Sequence, residues 1–445
     1  MKFKRYTGTE VALGVQHLFA MFGATILVPI LTGLNPSVSL LTAGIGTLIF
    51  HIVTKMRVPI FLGSSFAFLP GIAAVVQSEG ADYAGGAIMI AGLVYFVFAA
   101  VVYFVGSYNI KKLFPPIVVG PIVILIGLSL VGNGINDASA INQSDNAWAE
   151  YPLLSWLVAI ITIVSILMCM LKGKGIIKLV PILAGILVGY IVCLILSAFG
   201  LDAIKFKSIG DADWFNIPYV TDGFMYLPKF SWTSIIVIVP IAIVTFMEHI
   251  GDMTTLGAVT SKDIYTDPGL HRTVLGDGFA TMMAGFLGGP ANTSYGENIA
   301  VLATSKNFDP RIVRLAAMFA IVLAFLGKFG AILQTIPSPV LGGVSIVLFG
   351  IISSCGIMVL VDNKVDFKNS RNLIITSLIL SVGLGVTLSD LGGYITLSEN
   401  FSLSGLFVAT VVGILANLLL PKDKMIDISV ADMSKNEIDS DIVSL

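Results

Sequence analysis

Apolar runs of about 20 residues recur along the whole chain, and each is long enough to cross the hydrocarbon core of a bilayer. Hydrophobic residues make up 56% of the 445 residues and charged residues only 12%, whereas soluble domains carry about 25% charged residues. Inside lipid, a helix satisfies its own backbone hydrogen bonds. We therefore predict an all-α polytopic membrane protein with little mass outside the membrane.

We predict fourteen transmembrane segments, of which the third and the tenth are short or broken. The segments begin near Val11, Leu40, Ile60, Gly85, Pro116, Leu153, Ile176, Trp232, Leu270, Ser294, Ile312, Val340, Leu373 and Leu403.

The distribution of basic residues supports this segment count. Cytoplasmic connections of membrane proteins are enriched in Lys and Arg. If the N-terminus with Lys2, Lys4 and Arg5 lies in the cytoplasm, all but four of the 25 basic residues fall on the cytoplasmic side. The four on the outside are Lys205, Lys207, Lys229 and Lys328. We therefore expect both termini in the cytoplasm.

Two matched stretches indicate an internal repeat. PIVVGPIVILIG at Pro116–Gly127 aligns with PVLGGVSIVLFG at Pro339–Gly350, and FLG at Phe61–Gly63 aligns with FLG at Phe286–Gly288. Both offsets are close to half of the chain. Because seven segments per copy is an odd number, the second copy must enter the membrane from the opposite side, which predicts an inverted repeat with a binding site between the copies.

This repeat divides the chain into four parts. Residues 1–200 form the first inverted repeat, 201–231 an ordered periplasmic loop, and 232–420 the second repeat. Residues 421–445 are polar and acidic, which is typical of a disordered tail, and we place this tail in the cytoplasm.

The breaks in the third and tenth segments are rich in Gly and Pro. They read GSSFAFLPG at Gly63–Gly71 and GGPANTSYGEN at Gly288–Asn298. An interrupted membrane helix leaves backbone N–H and C=O groups unpaired, which is tolerated where they line a cavity. The half-helix after each break then points its N-terminal N–H groups at that cavity. The alternative is ordinary kinking for helix packing.

Acidic residues in the second half are the strongest candidates for function. Glu248 follows the apolar run SIIVIVPIAIVTFM, and Glu297 lies in the break of the tenth segment. Ionisable groups at membrane depth usually face a polar cavity on a substrate or proton path. Asp252 lies four residues after Glu248 and shares its helix face. Burial and mutual repulsion both favour proton binding by this pair, although Asp252 could also lie exposed at a cytoplasmic helix end.

Two histidines and three cysteines complete the candidates. His17 interrupts the first apolar run, and His249 follows Glu248; for both we expect structural hydrogen bonds, with a proton relay or pocket contact as the alternative for His17. Cys169, Cys193 and Cys355 lie in apolar runs without metal-ligand spacing. We therefore expect no metal and no cofactor. Nothing in the sequence forms a basic patch for nucleic acid.

Five motifs carry a family resemblance that runs from about Val15 to Leu420. They are QHLFAMFGATILVP, LGSSFAF, EHIGD, DPGLHR and NTSYGENIAVLATSK. Together they resemble the nucleobase–ascorbate transporter family, also called nucleobase:cation symporter-2, and within it the bacterial uracil permeases. The family signature falls on Glu297–Lys306, where Ala300 replaces the usual Gly and Ser305 the usual Thr.

The resemblance implies a secondary transporter of the bacterial inner membrane, often a homodimer, in which a core domain moves against a gate domain like an elevator. It implies substrate contacts at Ser65, Phe66, Glu248, Tyr295, Gly296 and Glu297. Phe66 can stack on a flat ligand, although a phenylalanine that packs in the core remains the alternative. Glu248, Asp252, Asn298 and His17 are implied in proton coupling or in support of the site.

Uracil import by proton symport is the function that this resemblance favours, with sodium a less favoured ion. Many uracil permeases have His where Asp252 stands, while xanthine- and urate-type members often have Asp, so a purine permease is the alternative. An intramembrane enzyme is a remote alternative, because no HExxH, GxSxG or paired-Asp motif is present. A channel would need a continuous polar path.

Overall fold

The computed structural model describes residues 6–107, 109, 115–140, 147–174, 181–201, 203–218, 227–390, 393–398 and 401–421. Lys2, Lys4 and Arg5, together with the predicted tail beyond residue 421, lie outside the described residues. So do residues 202 and 219–226 of the predicted periplasmic loop.

Eighteen helices and four short strands are present in the described residues. In the first half they are α1 (Gly8–Thr32), α2 (Pro36–Val53), β1 (Leu62–Ser64), α3 (Leu69–Ser78), α4 (Ala81–Val105), α5 (Pro116–Ser139), α6 (Ala147–Glu150), α7 (Pro152–Lys172), α8 (Pro181–Ala198) and α9 (Phe206–Asp211). In the second half they are α10 (Trp232–Ile238), α11 (Ile241–Thr260), a π-helical turn (Tyr265–Gly269), α12 (Leu270–Phe286), β2 (Asn292–Ser294), α13 (Gly296–Ser305), α14 (Pro310–Ala324), α15 (Gly327–Gln334), α16 (Ser338–Asp362), α17 (Ser370–Leu388), β3 (Tyr394–Ser398), β4 (Phe401–Ser404) and α18 (Gly405–Leu419).

Local sequence explains where the first helices begin. Thr7 caps α1 in a capping box: its hydroxyl accepts from the Glu10 amide at 3.2 Å, and the Glu10 carboxylate accepts from the Thr7 amide at 2.7 Å. Asn35 caps α2 by accepting from the Ser37 amide at 2.7 Å. Pro36 fits the first turn of α2 because the N–H that it lacks has no partner there in any helix.

Nine helical spans in the described residues are long and apolar enough to cross a membrane, and the run α10–α11 counts as one of them. The multi-pass prediction is therefore supported. The predicted segments near Leu270, Ile312 and Leu403 correspond to α12, α14 and α18, which have 17, 15 and 15 residues. The last of these starts two residues late, at Gly405, because β3 and β4 form a hairpin before it.

The third and tenth predicted segments each consist of a strand followed by a helix of ten residues. Strands β1 and β2 pair antiparallel, with Gly63 opposite Thr293. The chain therefore departs from an all-helical fold at these breaks, because the two extended stretches satisfy each other's backbone groups. Since the strands are antiparallel, α3 and α13 leave the pair at opposite ends.

Glycines bring α5 and α16 into close contact. A Cβ added at Gly356 would lie 2.6 Å from the Gly120 carbonyl oxygen. A Cβ added at Gly127 would overlap the Phe349 carbonyl oxygen and lie 2.7 Å from the Ser353 nitrogen. Small residues at such contacts let membrane helices approach each other closely. The two helices that contain the stretches aligned as a repeat thus pack against each other.

Contacts between connections define two ends of the molecule. At one end, Arg57 pairs with Asp267, and Arg311 contacts Glu10 at 2.9 Å. At the other end, the Lys328 ammonium donates to the carbonyl oxygens of Ile209 and Gly210 at 2.7 and 2.8 Å. Arg57 and Arg311, both predicted on the cytoplasmic side, therefore lie at one end of the molecule, and Lys328, predicted on the outside, lies at the other.

Gly127→Ala should destabilise the fold, because its methyl group would force α5 and α16 apart. We expect a loss of about 1–3 kcal/mol, the usual cost of overpacking. Gly132→Ala is the matched control, since a Cβ added there meets nothing within 4 Å. Thermal unfolding in detergent measures both variants. Equal melting temperatures for the two would contradict the tight contact.

Candidate functional site

A cavity lies where the paired strands meet the surrounding helices. It is bordered by β1, β2 and the starts of α3 and α13, by α1 and α11, and by α5 and α16. Its lining residues are Ala24, Ser64, Ser65, Phe66, Ile126, Glu248, Thr293, Ser294, Tyr295, Gly296, Glu297 and Ile352. The six substrate contacts expected from the sequence thus come together around one space.

Ser65 and Phe66 enter the cavity from the connection between β1 and α3. The Ser65 amide donates to the Ala291 carbonyl at 2.9 Å, which extends the strand pairing by one residue. The Ser65 hydroxyl is buried, and the described residues offer it no hydrogen-bond partner. The Phe66 ring meets Phe349 of α16 edge to face, with centroids 5.7 Å apart. Ser65 therefore has an unused hydroxyl at the cavity.

Glu248 and Asp252 lie on one face of α11, and both are half-buried. Glu248 lines the cavity. A Cβ added at Gly296 would lie 3.5 Å from the Asp252 Oδ1 atom. Asp252 therefore reaches the first turn of α13, and the cytoplasmic helix end considered from the sequence does not describe its position.

Tyr295, Gly296 and Glu297 form the start of α13. The Tyr295 hydroxyl donates to the Ser64 carbonyl at 2.8 Å and lies 2.9 Å from the Thr25 hydroxyl. No side chain caps the first turn of α13, so its N–H groups are available at the cavity. Gly296 and Glu297 are exposed, and both line the cavity. The Tyr295 hydroxyl thus joins the second half of the chain to Thr25 and Ser64 of the first half.

Asn298 and His17 support α13 from the side of α1. The Asn298 amide nitrogen donates to the His17 carbonyl at 3.1 Å and lies 3.0 Å from the His17 Nδ1 atom. Both side chains are buried. The structural hydrogen bond expected for His17 is therefore present.

A buried polar cluster behind β2 escaped the sequence analysis. The His249 Nδ1 atom lies 2.8 Å from an Asp277 carboxylate oxygen, and its Nε2 atom lies 2.8 Å from the Thr273 hydroxyl. The Ser294 hydroxyl donates to Asp277 at 3.1 Å. Asp277 is a lone carboxylate in a helix that has few other charges, and this signal could have revealed it. The cluster fixes the end of β2, from which α13 starts.

Within the described ranges, no group of three His, Cys, Asp or Glu side chains is arranged to hold a metal ion. His249 is held by Asp277, Thr273 and Ser294 rather than facing Asp252.

A second, larger cavity of about 340 Å³ adjoins the first. Glu297 borders both cavities. From Glu297 the larger cavity follows α13 past Ala300 to Thr304, between α1 and the start of α8. It therefore leads from the carboxylate toward the end of the molecule that carries Arg311.

Comparison with known proteins identifies the family. A family model described as "Permease family" (Xan_ur_permease) matches residues 8–391. The chain belongs to this family. The resemblance described from the motifs is confirmed.

Curated relatives of the permease align over almost its whole length. It is 44% identical over 415 residues to a uracil permease of Bacillus caldolyticus, with 93% of this chain and 92% of that protein covered. It is 36% identical over 431 residues to a uracil permease of Escherichia coli K12, with 95% and 96% covered. Permeases are transporters rather than enzymes, so the enzyme alternative is excluded.

Solved structures with this fold are also transporters. The transmembrane domain of the cyanobacterial bicarbonate transporter BicA superposes with a TM-score of 0.61 at 16% identity, covering 93% of this chain and 99% of that one. The murine anion transporter Slc26a9 gives a TM-score of 0.66 at 10% identity, covering 94% and 69%. At these identities the similarity concerns the fold alone.

Tyr295→Phe should destabilise the permease. The change keeps the ring and removes the hydroxyl that joins β1, α1 and α13. A buried group that loses its partner costs about 1–3 kcal/mol, so we expect a lower melting temperature in detergent. Tyr103→Phe removes a hydroxyl from a side chain that is 66% exposed and serves as the control. A melting temperature as high as that of the control would rule out this linking role.

Proposed function

We propose that the permease imports uracil, or a closely related nucleobase, across the bacterial inner membrane by proton symport. The observation that carries the proposal is the cavity in which Glu248 of α11 lies beside the start of α13, with Glu297 in the first turn of that helix. The names of the relatives, which are uracil permeases, supply the substrate class.

Uracil fits the donors and acceptors of this cavity. The base is planar and neutral, with two N–H donors and two carbonyl acceptors. Carboxylates at Glu248 and Glu297 accept from the N–H groups, and backbone N–H groups at Phe66 and Gly296 donate to the carbonyls. Phe66 offers a ring face for stacking.

The proposed architecture has fourteen segments in two inverted repeats, residues 1–200 and 232–420, joined by the periplasmic loop 201–231. The antiparallel strand pair, which joins the two broken segments, supports it. In the proposed elevator movement, a core that carries β1, β2, α11 and α13 slides against a gate that includes α5 and α16. The permease acts as a homodimer in the lipid bilayer, with both termini and the tail 421–445 in the cytoplasm.

Proton coupling follows from the substrate being uncharged. Since uracil brings no charge of its own, the coupling group must belong to the protein. Glu248 and Asp252 lie on one helix face, and two neighbouring carboxylates favour binding of a proton between them.

A purine permease is the second candidate function. It is favoured by Asp252, whose carboxylate lies beside Gly296 at the start of α13. A carboxylate in this position adds an acceptor for an N–H group of a larger base.

Uptake by purified permease in liposomes tests the function. Labelled uracil should accumulate when an inward proton gradient is imposed in sodium-free buffer, and a protonophore should abolish the accumulation. Unlabelled uracil, xanthine and ascorbate serve as competitors. Uptake that tracks a sodium gradient would contradict the choice of ion, while competition by xanthine alone would favour the purine candidate.

Glu297→Gln should weaken uracil binding by about 5–150-fold, equivalent to the 1–3 kcal/mol cost of an unpaired buried group. The new amide group presents a donor to an N–H donor of the base. Calorimetry in detergent measures the affinity, and Glu150→Gln, at an exposed residue of α6, is the control. Wild-type affinity in Glu297→Gln would remove this residue from the site.

Asp252→Asn should impair concentrative uptake more than binding. The change removes the negative charge that favours a proton on Glu248, whereas uracil affinity should stay within about tenfold, or 1.4 kcal/mol. Exchange of labelled for unlabelled uracil moves no net proton and should persist. Asp362→Asn, at the exposed end of α16, is the control. Joint loss of binding and exchange would instead make Asp252 a direct substrate ligand.

A further inference from the structure

The cavity has an apolar wall that the proposed function does not use. Ile126 of α5 and Ile352 of α16 line it beside the carboxylates and the strand ends. Their branched hydrocarbon side chains offer no hydrogen bond to a base, so these two residues can act on a ligand only through shape.

The wall is held by the close contact between the two helices. Gly127 and Ser353 follow Ile126 and Ile352 in sequence, and they lie against each other, since a Cβ added at Gly127 would fall 2.7 Å from the Ser353 nitrogen. The Ser353 hydroxyl donates to the Ile124 carbonyl of the opposite helix at 3.2 Å. This contact fixes the register of α5 on α16 and places both isoleucines at one cavity.

The side chains have little freedom to give way. Isoleucine in a helix is strongly restricted to one χ1 rotamer, and Ile126 is 3% exposed. The cavity encloses about 40 Å³, where about 10–15 Å³ admits one water molecule. Room for a base therefore comes from the side of Glu297, which opens into the larger cavity, and not from the side of the isoleucines.

We propose that Ile126 and Ile352 form a fixed apolar wall that limits the bound base to a single six-membered ring. The inference rests on the proposed function and deepens it by assigning the size limit to two residues. The carboxylates and backbone N–H groups recognise the N–H and C=O groups that uracil shares with the six-membered ring of xanthine. The second ring of a purine is fused to the opposite side of that ring, where it would overlap the isoleucine side chains.

Removal of the wall should relax this size limit. One methylene in an apolar pocket changes discrimination by about 10–200-fold, and Ile→Ala removes three carbons. Binding of uracil, thymine and xanthine is measured by competition with labelled uracil on purified full-length permease in nanodiscs. Wild type should bind xanthine about 100-fold more weakly than uracil, with thymine between them, on the scale of one or more methylenes.

Ile352→Ala and Ile126→Ala should each lower the ratio of xanthine to uracil dissociation constants at least about tenfold, the lower end of that range. Ile357→Ala is the control, because Ile357 lies on the same helix, is 53% exposed and does not line the cavity. Its ratio should equal that of wild type. If the alanine variants unfold, Ile352→Val and Ile126→Val remove one methyl group each and should shift the ratio in the same direction by less.

The outcomes separate the inference from the proposed function. If the alanine variants bind uracil and keep the wild-type ratio of xanthine to uracil dissociation constants, the apolar wall is disproved while the transport proposal stands. A wild type that binds xanthine as tightly as uracil also overturns the wall. A wild type that binds no uracil overturns both.

Discussion

The pairing of β1 with β2 is the interaction on which the rest of the structure depends. Two membrane segments are interrupted at the same place, and each interruption leaves backbone groups that lipid cannot satisfy. Antiparallel pairing, with Leu62 opposite Ser294 and Ser64 opposite Asn292, satisfies many of them. Because each strand supplies the hydrogen-bond partners of the other, neither break could satisfy its backbone groups alone. It also sets where α3 and α13 begin, and so where their N–H groups face the cavity.

Buried polar contacts hold this pair from three sides. Tyr295 joins it to α1, Asn298 joins α13 to His17, and the cluster of His249 and Asp277 fixes Ser294. A satisfied buried network rigidifies the groups that it connects, whereas a half-satisfied one is costly. The Ser65 hydroxyl lies at the cavity and has no hydrogen-bond partner among the described residues. The supporting residues thus hold β2 and the start of α13 in position at the cavity.

Sequence reasoning located the breaks at Gly63–Gly71 and Gly288–Asn298 because Gly and Pro mark them directly. It missed the strand pairing, since three residues are too few to show the alternation of a strand. Asp252 was expected on the helix face of Glu248, and only the three-dimensional crossing of α11 and α13 brings it to Gly296. Asp277 lies 28 residues from its partner His249, a distance at which sequence alone gives no sign of contact. The family resemblance, by contrast, rests on motifs that can be recognised in the sequence alone.

The docking of residues 203–218 against α15 limits how far α8 can separate from this stretch. Lys328 and Gly327 of α15 hold the backbone of Ile209, Gly210 and Trp214, and Ala203 and Ile204 are buried. The covalent tether from α8 to this docked stretch is therefore the short run between Ala198 and Ala203. Fully extended chain spans at most about 3.6 Å per residue, so this run reaches about 18 Å. Whatever movement α8 makes, Ala198 therefore stays within that distance of Ala203.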